Sequence, residues 1–178
     1  MGMSLPYRWT RQAYHQLWER GVLSEGTRVE LIEGQILQMS PWTKEHLNGI
    51  MFPNTVLVRL FGDTHVVRVQ CPYPVDDFSE PQPDFALCPL GDVHRADLLI
   101  EVSHTSLAHD RRTKAPLYAR AGVPEYWTVN VPRKVVEVRS QPDEGKYRQL
   151  RIYRPDETVR PLFATEVEVP LGSFFSEA

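Results

Sequence analysis

The chain has only two cysteines, Cys71 and Cys88, among its 178 residues, and they lack C-x-x-C spacing. Neither a disulfide framework nor a structural zinc site is therefore indicated. Both end apolar runs and are expected to be small buried hydrophobes. No stretch approaches the ~20 consecutive apolar residues of a membrane span. The opening MGMSLPYRWT lacks the apolar core of a signal peptide, and Gly2 alone does not make a lipidation signal. A cytoplasmic location without a membrane partner is expected. A basic surplus is missing too: the net charge is −3 and the pI about 6.1, whereas domains held on nucleic acid by backbone charge are normally basic. Any contact with DNA is then local, weak or dependent on assembly. Internal repeats, low-complexity tracts and a glycine-rich phosphate loop are also absent. Ser103–His104 and Ser106/His109 invite a hydrolase reading, but there is no G-x-S-x-G turn, and adjacent strand residues point to opposite faces. The histidines show no H-E-x-x-H spacing.

What is present is a 42% hydrophobic chain, enough to bury one good core, and residues 1–178 are expected to form a single domain. Thr10 reads as an N-cap for a helix carrying Ala13, Tyr14, Leu17 and Trp18 at helical spacing and stopping at Gly21. Val29 to Met39 alternates around Glu33-Gly34, a two-residue hairpin turn. Thr43 opens a second helical pattern through Leu47, Ile50, Met51, Leu57 and Leu60; Pro53 predicts a kink there or two short helices. His46, near its start, is a further candidate to face the site. A strand over His65 to Cys71 precedes the proline-rich connection PYPVDDFSEPQP, which is too rich in turn residues to be regular. Strands at Phe85 and Leu98, a helix over Ala108 to Ala121 closed by Gly122, and a strand at Glu125 follow. The last three make a parallel strand–helix–strand crossover. Lys134 to Ser140, Tyr147 to Tyr153 and Val167 to Pro170 alternate apolar with charged residues and read as antiparallel hairpin strands with one solvated face.

The chemistry is concentrated in Glu80 to Gly122. Pro83-Asp84 opens the apolar run FALC. A second run, DLLIEV, sets Glu101 among apolar neighbours, where a carboxylate without a partner would be costly to bury. Arg111, Arg112 and Lys114 follow. Two carboxylates at the ends of neighbouring strands with a cation nearby suit a Mg²⁺-dependent phosphodiesterase. Mg²⁺ is a hard cation that keeps several waters, so one or two carboxylates and a backbone carbonyl, here that of Val102, suffice to hold it against a phosphate. It polarises the phosphoryl oxygen and lowers the pKa of an attacking water. A neighbouring lysine stabilises the added negative charge or orients that water.

Pro83-Asp84, Glu101-Val102-Ser103, the D-x-x-x-K of Asp110 to Lys114 and YARAGVPEYWTVN at Tyr118 to Asn130 together resemble the putative restriction endonuclease family of bacteria, a branch of the PD-(D/E)XK nuclease superfamily. VELIEGQILQMSP at Val29 to Pro41 is similar to that family's opening hairpin, so the resemblance covers roughly residues 8 to 140. It implies an α/β (mixed α+β) fold with a restriction-endonuclease-like core: a central mixed β-sheet flanked by helices, with additional antiparallel hairpins. It also implies Asp84 and Glu101 as metal ligands for Mg²⁺ or Mn²⁺, and Glu30 as a third carboxylate near the metal. The superfamily signature expects lysine two residues after the second carboxylate, where this chain has Ser103; the resemblance makes Lys114, on the next helix, the lysine instead. Pro116, inside that helix, predicts either a kink or a helix that starts near Thr113 with the proline in its first turn.

The implied function is metal-dependent endonucleolytic hydrolysis of DNA. The alternative is a catalytically inactive nuclease-like fold that binds nucleic acid or a protein partner, since fold alone does not establish function. Cutting both strands of a duplex is most simply done by two copies about a twofold axis. A homodimer is thus expected, and light scattering that shows only monomer at micromolar concentration would count against it.

Overall fold

The computed structural model describes residues 6–41 and 43–175. The chain forms two compact units, one from Met1–Pro41 with Pro72–Gln82 and the other from Trp42–Cys71 with Pro83–Ala178.

In the smaller unit Thr10 caps α1 (Arg11–Glu19), its hydroxyl accepting from the Ala13 N–H at 3.2 Å. Strands β1 (Val29–Ile32) and β2 (Gln35–Gln38) pair antiparallel. Glu33 and Gly34 both take positive φ, 51° and 82°, which matches the twist a two-residue hairpin needs. Tyr14, Val29 and Leu31 form this unit's core, with Trp9, Trp18, Leu23 and Ile36 packed on it. The loop after Pro72 returns to the hairpin, where Leu31 and Glu80 exchange backbone hydrogen bonds. Glu80 is buried, and its carboxylate is held by Arg11 at 2.9 Å and His15 at 2.8 Å.

The larger unit is built on a six-stranded sheet in the order β3 (His65–Val69), β4 (Phe85–Pro89), β5 (Leu98–Ser103), β6 (Glu125–Asn130), β7 (Val135–Asp143), β8 (Lys146–Tyr153). All neighbours are antiparallel except β5 and β6, the pair joined by the helical crossover. Side chains alternate along a strand, so Leu98, Ile100 and Val102 share one face with Phe85, Leu87, Trp127, Val129, Val136 and Val138. Ile50, Leu57 and Phe61 of α2 (Lys44–Phe61) cover that face together with Leu171 and Phe174 of a closing 3₁₀ turn. The opposite face receives α3, which begins at Leu107–His109, runs through a π-helical turn at Asp110–Lys114 and continues as Ala115–Arg120. Gly122, at φ 73°, ends it. Short strands β9 (Thr158–Val159) and β10 (Val169–Pro170) pair with each other. The result is a mixed sheet with helices on both faces and extra hairpins, as expected. Among the described residues no helix is long and apolar enough to cross a membrane.

Helix α2 is one element from Lys44 to Phe61 with Pro53 inside it, so of the two expected outcomes the pair of short helices does not hold. Proline removes one bond to residue 49, but the core face of the helix is buried on both sides of it, at Ile50 and at Leu57 and Phe61. Gly49 lets the backbone approach β5 so closely that a Cβ there would lie 2.7 Å from Val102 Cγ1. Strand β3 stops at Val69 instead of Cys71, because Gln70 turns the chain at φ 48°. Cys88 is buried as expected, whereas Cys71 is only half-buried.

Candidate active site

Register assembles the site. Phe85 pairs with Ile100 and Val69 with Phe85, so one step further Gln70, Asp84 and Glu101 lie side by side across β3, β4 and β5. Glu101 pairs with Thr128 and Thr128 with Glu137. A row of polar residues therefore crosses the sheet, and Asp84, Glu101, Thr128 and Glu137 in it are all buried.

Buried carboxylates are tolerated only with donors, and each of these has them. Asp84 Oδ2 accepts the Val102 N–H at 2.7 Å; Asp84 Oδ1 accepts from Gln70 Nε2 at 3.0 Å and lies 3.2 Å from His46 Nε2. Glu101 Oε1 accepts from Lys114 Nζ and from the Tyr118 hydroxyl, both at 3.0 Å. Lys114 is itself only 4% exposed, so the ammonium–carboxylate pair is desolvated. Glu137 takes hydrogen bonds from Arg111 and, at 2.6 Å, from Arg139. Burial alone would raise its pKa, but these two guanidinium groups outweigh it and hold the carboxyl below the usual glutamate range.

Asp84, Glu101 and Lys114 are thus brought together by the fold. His46 joins them: Thr43 caps α2 at the His46 N–H, and the His46 ring donates through Nδ1 to the Val102 carbonyl at 3.1 Å while its Nε2 faces Asp84. The Val102 carbonyl therefore opens on the same place as Asp84. Ser103 shares the Glu101 face but is engaged elsewhere, donating to Asp110 Oδ2 at 2.6 Å alongside Ser106 at 2.7 Å; it ties α3 to β5. Glu30 lies in the smaller unit, buried on β1, and accepts the Gln82 N–H at 3.2 Å.

Sequence reasoning missed Gln70 and Tyr118. Tyr118 sits four residues beyond Lys114, the helical spacing that puts two side chains on one face. Gln70 left no such signal, because its role depends on strand register and on a left-handed backbone that costs a non-glycine residue roughly 1–2 kcal/mol. Gln70→Ala loses the bond to Asp84 and keeps that strain. It is expected to lower stability by about 1.5–3 kcal/mol, the range for a hydrogen bond to a charged group. Gln70→Gly is expected to recover roughly 1 kcal/mol of this by relaxing the backbone. Urea denaturation of both variants checks the difference, and equal midpoints would remove the strain argument.

The donor set is all oxygen: two carboxylates and one carbonyl. That suits Mg²⁺, which is held by one or two carboxylates and keeps its own waters. Among the described residues no group of three or more His, Cys, Asp or Glu side chains is placed to hold a metal ion.

The fold is similar to that of a crystal structure described as a putative nuclease belonging to DUF820 from Anabaena variabilis ATCC 29413. The TM-score is 0.74 at 17% identity, over 93% of this chain and 97% of the other. At that identity the likeness speaks for the fold alone. No curated protein matches the sequence. The family model Uma2, described as "Putative restriction endonuclease", matches residues 11–172, which takes in every strand and α-helix described above; the chain belongs to that family.

Proposed function

We propose that the protein is a Mg²⁺-dependent endonuclease that hydrolyses DNA phosphodiester bonds. The observation that carries this reading is the alignment of Asp84 and Glu101 across β4 and β5, with Lys114 Nζ 3.0 Å from Glu101 Oε1. Asp84, Glu101 and the Val102 carbonyl are the groups that would hold Mg²⁺, or Mn²⁺ in its place. When bound, the metal polarises the phosphoryl oxygen and makes the attacking water more acidic.

The remaining work falls to the chain. Lys114 places a positive charge where the phosphoryl group gains negative charge, in surroundings dry enough to strengthen the interaction. Tyr118 fixes the Glu101 carboxylate from the same oxygen that Lys114 uses, so that carboxylate is held before substrate arrives. Gln70 holds Asp84 Oδ1 and the Val102 N–H holds Oδ2, which pre-orients the second carboxylate.

One observation favours the nonenzymatic alternative: both oxygens of Asp84 already have donors within the protein. A metal ion would have to share Oδ1 with Gln70, beside the His46 ring 3.2 Å away. Supercoiled plasmid incubated with the wild-type protein, with and without Mg²⁺, separates the readings. Nicking or linearisation only with the metal is expected. A protein that retards DNA or a partner but never cuts it would support the alternative.

A further inference from the structure

We infer that Pro116 is a positioning residue: it maintains the π-helical turn Asp110–Lys114, and that turn sets Lys114 on Glu101. The catalytic consequence rests on the function proposed above; the geometric claim does not.

An unbroken α-helix would bring the Arg112 carbonyl against the Pro116 ring and give it no N–H to accept. In the structure the helix widens just before the proline, and the Ala115 N–H bonds to the Asp110 carbonyl, a five-residue step in place of four. Pro116 then falls in the first turn of the following α-helical segment, where a missing N–H costs least. The helix does not begin near Thr113, as one expectation had it, but Pro116 does sit in the first turn of the α-helical segment Ala115–Arg120.

The turn decides which side chains face β5. Asp110, Lys114 and Tyr118 are four residues apart. In a regular α-helix each such step advances about 40° around the axis, so three residues would drift off a single strand. A π-turn between the first two falls back instead of advancing, and the α-helical step from Lys114 to Tyr118 follows. The three side chains stay in line. Asp110 meets Ser103 at 2.6 Å, while Lys114 and Tyr118 meet Glu101 at 3.0 Å. Asp110 and Lys114 are 2% and 4% exposed, whereas Arg111 and Arg112 between them are exposed. Ser103 and Glu101 are alternate residues on one face of β5, so the helix and strand are matched at both points.

The test is Pro116→Ala, which restores the N–H and favours a regular helix. The crystal structure of the metal-free variant is expected to show the Ala115 N–H bonded to the Arg111 carbonyl and Lys114 Nζ more than 4 Å from Glu101. Single-turnover plasmid cleavage in Mg²⁺ is expected to fall at least tenfold. Deleting the exposed Arg112 in the same chain shortens the Asp110-to-Lys114 step to three residues. It is expected to return both the 3.0 Å contact and the cleavage rate within a regular helix. A Pro116→Ala chain that keeps the π-turn, or that closes the helix with Lys114 still on Glu101, overturns the inference. If no chain cuts DNA but the helix and Lys114 shift as described, the positioning claim stands and the proposed function fails.

Discussion

Glu101→Ala is expected to abolish both Mg²⁺ binding and phosphodiester cleavage, and also to cost about 3–5 kcal/mol of folding stability. The last figure is the usual consequence of removing one partner of a buried ion pair. Lys114 is almost fully buried and its ammonium bonds to Glu101 Oε1; without the carboxylate that charge, and the Tyr118 hydroxyl, lose their shared acceptor. Glu101→Gln separates the two effects. Its amide oxygen still accepts from both donors and its volume is unchanged, but it carries no charge to balance the buried Lys114 ammonium, so only part of the stability is expected to return while metal binding and cleavage do not. Calorimetric titration of Mg²⁺ into wild type and Glu101→Gln checks the binding, and thermal unfolding checks the fold. Equal metal affinities for the two proteins would take Glu101 out of the site.

Lys114→Met is expected to slow cleavage by about 10²- to 10³-fold, the range for losing one electrostatic contributor to the transition state. Methionine keeps the apolar stem that lies beside β5, so packing lost with an alanine is not mistaken for lost chemistry. Metal affinity is expected to persist or rise, because a positive charge beside the carboxylate has gone. The effect therefore differs in kind from that of Glu101→Gln: the rate falls while the metal still binds. Single-turnover rates at saturating Mg²⁺ measure it, and a wild-type rate for Lys114→Met would leave the metal ligands in place but remove the lysine from the mechanism.

Much of the fold was legible because its signals are local. The Glu33-Gly34 turn, the Thr10 and Thr43 caps and the Gly122 stop each depend on a few adjacent residues; the solvated face expected of β7 is instead covered, with Glu137 buried on it. The sequence also pointed to Glu101, since a carboxylate at the end of Leu98-Leu99-Ile100 asks for a partner, and the family resemblance added Asp84 and Lys114. What could not be read depends on pairing between distant segments. Gln70 reaches Asp84 only because β3 and β4 share a register and the backbone at Gln70 is left-handed. Helix α2 runs through Pro53 because its burial on both sides of the proline outweighs one missing hydrogen bond. Pro116 signalled a disturbance in α3, but the form it takes, a π-turn that brings Asp110 and Lys114 into line, is a compromise between the proline and the two contacts on β5.

The most direct test of the site is single-turnover cleavage of supercoiled plasmid in Mg²⁺ by wild type, Asp84→Asn and Lys114→Met side by side. Asparagine at 84 keeps an oxygen for the Val102 N–H while removing the charge that would attract a metal. Wild type is expected to cut, Lys114→Met to cut 10²- to 10³-fold more slowly, and Asp84→Asn not to cut measurably. Cleavage by Asp84→Asn at the wild-type rate, or a wild-type protein that leaves the plasmid intact at every Mg²⁺ concentration, would contradict the assignment.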